Sequence, residues 1–175
     1  ESSLKANIGH AGRMGTFELF YDHNRHNIGL VEEESAEEID ERGRKPDIFY
    51  KRLDNQMLSS RNRLYFNRYK LQINAAYQDN KLSHIGEANE YEVEMRLRTL
   101  TYETKLHFPS DLYTEYILGF QGMNQWNDNL NDRATKLLPD AIMQNYSLFG
   151  LLQRTFFSKL KVQGGIRYDY RSVST

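Results

Sequence analysis

Cysteine is absent from the 175 residues. That excludes disulfides, thiolate metal sites and cysteine nucleophiles, and it says little about the redox compartment. Prolines number only three, all where turns or loops are expected. The net charge is -1, which leaves no electrostatic case for a nucleic-acid partner. No stretch approaches the ~18 to 20 apolar residues of a membrane helix. Membrane barrels are not excluded by this, because their strands carry only about ten residues of alternating pattern. No secretory leader is present and the chain opens with Glu1, as a processed protein or an excised piece would. Neither a Ser-His-Asp pattern nor a metalloprotease or phosphate-loop motif occurs. No enzyme, cofactor or metal is therefore expected.

What is present is tyrosine and alternation. Aromatics make up 13% of the chain and twelve of them are tyrosines, yet the mean hydropathy is -0.76. Many aromatics in a hydrophilic chain suit strands that are apolar on one face only. Near the end, Gly164, Ile166, Tyr168 and Tyr170 alternate with Gln163, Gly165, Arg167, Asp169 and Arg171. Alternate side chains of a strand point to opposite faces. Leu4, Ala6 and Ile8 show the same rhythm, as do Phe17, Leu19 and Tyr21, although Phe20 breaks the polar series. It returns from Met57 to Phe66, with Arg61, Arg63 and Tyr65 on one side, and in Leu71, Ile73, Ala75 and Tyr77 against Lys70, Gln72 and Asn74. Tyr91, Val93, Met95 and Leu97 alternate with Glu92, Glu94, Arg96 and Arg98. The phase then slips near Thr99 to Thr101, which means either a bulge or a different register there. Tyr116, Leu118 and Phe120 oppose Gln121 and Gln125, and the final pair is Asn145 to Phe157 and Leu160 to Arg171.

The spacing predicts eight antiparallel up-and-down strands. Short turns near Arg13, Asn67, Ser110 and Lys159 alternate with long polar stretches, Gly29 to Asn55, Asp79 to Glu90 and Asn127 to Met143. Long connections at one end, short turns at the other and aromatics beside the turns are the pattern of a transmembrane β-barrel. Hairpins with aromatic cross-strand pairs are the competing reading. In a barrel, Ile166, Tyr168, Leu71, Ile73 and Leu118 face lipid. Arg61, Arg63, Gln72, Glu94, Arg96, Gln121, Arg167 and Asp169 face the lumen, together with Lys70.

Candidate ligand contacts are Trp126, Gln125, His23 and His26, at strand-to-loop borders. His23 and His26, three apart on a strand, point to opposite faces, which argues against a shared metal. An interface anchor is the competing role for Trp126. The acidic run Glu32 to Asp40 reads as a solvated loop, or as a lure for a cationic cargo. Asn127 to Asp132, "NDNLND", lacks the central glycine and bidentate glutamate of a calcium loop.

In order, Leu97 to Tyr102, Gly119 to Gly122 with Gln125, Leu138-Pro139-Asp140 and Gly165-Ile166-Arg167-Tyr168-Asp169 resemble the mid-barrel region of TonB-dependent outer-membrane receptors, most of all the Bacteroidetes type. Ala76-Tyr77-Gln78 departs from the family's Gly-Tyr-Gln at its first position. The resemblance covers about Ser59 to Arg171. It implies a segment, residues 1–175, of a barrel of about 22 strands. The plug domain, the TonB box and a terminal aromatic are not seen. Implied with it are an outer-membrane location and uptake of a scarce nutrient such as a metal chelate, haem, cobalamin or glycan. The implied partners are outer-membrane lipid, the rest of the barrel and its plug, TonB through the missing part, and a small nutrient ligand. Two alternatives stand beside it. One is a self-contained eight-stranded outer-membrane barrel, structural or adhesive, and the other is a soluble lipocalin-like lipid-binding barrel.

Overall fold

The computed structural model describes residues 1–29, 50–86, 90–109, 113–131, 136, 138–157 and 159–175. They form strands β1 (Ser2–Gly12), β2 (Gly15–Gly29), β3 (Tyr50–Phe66), β4 (Tyr69–Ile85), β5 (Tyr91–His107), β6 (Thr114–Asn129), β7 (Ala141–Phe156) and β8 (Leu160–Ser174), with no helix among the described residues. Each strand pairs antiparallel with the next, in one sheet ordered β1 to β8. The expected all-β, up-and-down architecture is present. Among the described residues no ladder joins β1 to β8, so both are edges of this sheet.

The tight turns follow from their residues. Gly15 has φ 149°, and a Cβ there would collide with the carbonyl of Arg63 on β3, so only glycine fits. Asn67, between β3 and β4, takes the left-handed conformation that asparagine tolerates, with φ 52°. The turn expected at Ser110 and the acidic run Glu32 to Asp40 lie outside the described residues, as do Ser158 and Asp132.

Of the long polar stretches, Asp79 to Glu90 is mostly strand, not loop, and the other two begin and end in strand. β3 begins at Tyr50, β4 continues to Ile85, β6 to Asn129, and β7 begins at Ala141. The connection 86–90 is in fact shorter than 108–113 at the opposite end. The expected strict alternation of long and short connections therefore fails at β4–β5. The polarity there belongs to strand residues, for the reason that their side chains show.

The ladders fix which side chains share a face. Lys5 pairs with Asp22, Glu18 with Arg61, Arg63 with Gln72, Asn74 with Glu103, Glu103 with Gln121, Gln121 with Ser147, and Ser147 with Asp169. These form one polar face. The other carries Leu4, Leu19, Leu58, Ile73, Tyr102, Phe120, Leu148 and Ile166. The assignments of Ile166, Tyr168, Leu71, Ile73 and Leu118 to one face, and of Lys70, Arg61, Arg63, Gln72, Gln121, Arg167 and Asp169 to the other, agree with this register.

Glu94 and Arg96 do not. Pairing runs unbroken from Asp79↔Arg98 to Ala75↔Tyr102, and the one register shift of this ladder lies between His84 and Ile85. There is no bulge near Thr99. Glu94, Arg96 and Arg98 consequently share the face of Leu100 and Tyr102. Both faces change polarity part-way up β5, which imitates a phase slip in a sequence read alone.

Only Ile85, Val93 and Phe149 are buried apolar side chains among the described residues. A water-soluble domain packs two layers around an apolar core. Here a single layer presents Ile8, Leu19, Leu58, Leu118, Leu148 and Ile166 as exposed side chains.

Candidate functional site

Over the span next to the short turns, the apolar face is a belt. On β4 it runs from Tyr69 through Leu71, Ile73 and Ala75 to Tyr77. That is about 27 Å along the strand, the scale of the ~25 Å apolar band of membrane barrels before tilt. Aromatics border it. At the short-turn end Phe66 stacks on Tyr69 at 5.6 Å, and Tyr69 meets the edge of Phe108 at 5.9 Å. Tyr21, Tyr77, Trp126 and Tyr146 stand on the same face toward the other end.

Beyond the belt this face becomes a charged band. Arg25 Nε donates to Asp54 at 2.8 Å, and His23 Nε2 lies 3.1 Å from the same carboxylate. Arg96 Nε donates to Asp79 at 2.9 Å, Lys81 pairs with Glu94 at 2.7 Å, and Arg98 donates to Asp128 at 2.6 Å. These pairs are partly exposed, so each contributes on the order of 0 to 1 kcal/mol. Their position says more than their strength: charges gather where the belt ends.

A trough of about 530 Å³ crosses the polar face, lined by Met57, Arg61, Thr101, Gln121, Met123 and Arg167. A hydrogen-bond chain crosses five strands here. Asn74 Nδ2 donates to Glu103 at 3.2 Å, Lys105 pairs with Glu103 at 2.8 Å, and Gln121 Nε2 donates to it. Arg167 donates to Gln121 and Ser147, both at 2.8 Å, and pairs with Asp169 at 2.8 Å. Phe20, the residue that breaks the alternation of β2, lies on this face with the Arg61 guanidinium 5.1 Å from its ring centre. A cation over an aromatic ring makes an apolar side chain tolerable there.

A second cavity, about 430 Å³, lies on the same face toward the long connections. Leu53, Leu82, Met95 and Leu97 form an apolar wall, with Asn24, Asn55, Asn80 and His26 around it. Gln78 Nε2 donates to Asn55 and Asn80 at 3.1 and 3.3 Å. Sequence reasoning missed this wall. Its signal was the series Val93, Met95 and Leu97, which keeps the phase of Glu103 and Lys105.

The four candidate ligand contacts do not converge. Trp126 and His23 stand on the apolar face, whereas Gln125 and His26 stand on the polar one. Gln125 donates to Thr99 at 3.1 Å, and His26 pairs with Glu1 at 2.8 Å. Among the described residues no group of three or more His, Asp or Glu could hold a metal ion. Comparison with protein-family models, curated proteins and solved structures finds no match to this chain.

Proposed function

We propose that this sheet is part of the wall of an outer-membrane barrel of the TonB-dependent receptor kind, working in nutrient uptake without covalent chemistry. The observation that carries the reading is a single-layer sheet with almost no buried core among the described residues, one face of which is apolar between aromatic borders and charged beyond them. Lipid covers such a belt, and the charged band meets the headgroups. The polar face is then the lumen, where Arg61 and Arg63 face a plug and the chain from Asn74 to Asp169 stiffens the wall. The apolar wall of Leu53, Leu82, Met95 and Leu97 faces the vestibule, where a nutrient ligand enters.

The open edges favour a wider barrel over a self-contained one. Unpaired edge groups in lipid cost several kcal/mol each, so β1 and β8 need further strands. A lipocalin-like carrier has the inverse arrangement, with an apolar concave side. Fractionation of the producing cells, probed with an antibody to Tyr50–Ile85, tests the reading. A band in the outer membrane, well above 20.7 kDa, supports it. A 20.7 kDa band in the soluble fraction overturns it. Nutrient uptake lost on deleting TonB would add the energy source.

A further inference from the structure

Most glycines facing a neighbouring strand in this sheet are covered. The Phe149 ring lies over Gly119, the Tyr102 ring over Gly122, and the Leu151 side chain over Gly165. Rings laid over strand glycines restore the packing that a missing side chain removes. Gly150 and Gly164 are different. A Cβ at either position would meet nothing within 4 Å, and neither has a positive φ. Neither crowding nor backbone conformation requires glycine there, and a strand-interior glycine weakens a sheet.

What the two glycines do produce is a furrow. They are its floor, on adjacent strands of the apolar face, with Tyr116, Leu118, Leu152 and Ile166 as walls, enclosing about 470 Å³. All four wall side chains are exposed. One strand step pair below Leu152, about 7 Å along β7, stands Arg154. It lies on the same face, its guanidinium 5.2 Å from the ring centre of Phe156, the last residue of the strand.

Arg154 is singular. Below the charged band, the apolar face of the eight strands holds no carboxylate and no other lysine or arginine among the described residues. A lone fixed cation at the edge of an apolar belt calls for an anion at that depth, while its stem lies along the belt.

We propose that the furrow over Gly150 and Gly164 holds an acyl chain of an anionic glycerophospholipid, whose phosphate is bound by Arg154. The site lies in the leaflet on the short-turn side, which is the periplasmic one. This rests on the membrane reading above, and it adds a lipid class and a place. Phe156 and the turn set the guanidinium at the interface, and the glycine floor lets one chain lie flat against the wall.

The test is native mass spectrometry of the intact membrane protein that contains this sheet, released from detergent micelles. Phosphatidylglycerol and phosphatidylcholine with the same acyl chains are the probes. The expected result is retention of phosphatidylglycerol about tenfold over phosphatidylcholine. Arg154→Gln removes that preference. Gly150→Val with Gly164→Val, which fills the furrow with residues suited to strands, lowers retention of both lipids while the strand signal in circular dichroism stays. Equal retention of the two lipids by the parent chain overturns the proposal, as does unchanged retention in either variant. A chain that is a soluble monomer without detergent would instead refute the membrane reading itself.

Discussion

Arg98 and Tyr102 lie on one face of one strand, four residues apart, and face different surroundings. Tyr102 covers Gly122 within the belt, whereas Arg98 reaches Asp128 beyond it. Substitutions separate the two zones. Leu118→Arg, on the belt, should destabilise the membrane-inserted protein by about 2 to 4 kcal/mol. Asn27→Arg, exposed on the same face beyond it, should change stability by less than about 1 kcal/mol. Urea titration in lipid vesicles measures both. Asp140, in the connection before β7, gives a pH prediction. It accepts hydrogen bonds from the backbone N–H of Asn129 at 2.6 Å and from its side-chain amide at 2.9 Å, and these hold its carboxyl below the ordinary value. A depressed carboxylate stabilises the fold above its unfolded pKa, and that stabilisation is lost as pH falls through the folded one. The connection should loosen only as pH falls below the ordinary aspartate value of about 4. Faster proteolysis there, unchanged by pH in Asp140→Asn, checks this. Single residues were legible where the belt is plain, as at Ile73 and Arg167. Glu94 and Arg96 were misread because a residue's type cannot tell whether its strand is inside or beyond the apolar zone.

At the scale of the strand, length outran pattern. β5 runs as one strand from Tyr91 to His107, its pairing to β4 is regular from Val93 onward, and its register to β6 is continuous from Met95 to His107. The apparent slip at Thr99 is the height at which apolar and polar faces trade places. The same trade made Asp79 to Ile85 read as loop, although it is paired strand opposite Tyr91 to Arg98. Short turns were legible because their chemistry is local: Gly15 and Asn67 adopt backbones that few other residues accept. Cysteines at 94 and 96 should react with a membrane-impermeant reagent added to intact cells. Cysteines at 100 and 102, on the same face, should not. Equal protection at all four would place Glu94 and Arg96 in the belt and contradict the trade.

Among the described residues the sheet is a wall without a second layer. Its stability in water would rest on a core that Ile85, Val93 and Phe149 cannot supply. The alternation made the all-β, up-and-down order legible, because each strand declares its own two faces. The open edges were not legible from pattern alone, since closure depends on whether β1 meets β8. With both edges unpaired, the purified chain should associate through them. Light scattering should then give a mass above 20.7 kDa. The most direct measurement is a spin-label scan of β4 in a bilayer, one site at a time from 69 to 82, comparing collisions with oxygen and with a water-soluble nickel chelate. A lipid-facing belt requires oxygen access to peak at position 73, to fall toward 69 and 79, and to be replaced by nickel access at 81. Positions 70, 72 and 74 should favour nickel throughout. Nickel access at 73 equal to that at 72, or a peak of oxygen access at 72 and 74, would contradict a membrane wall with its apolar face outward.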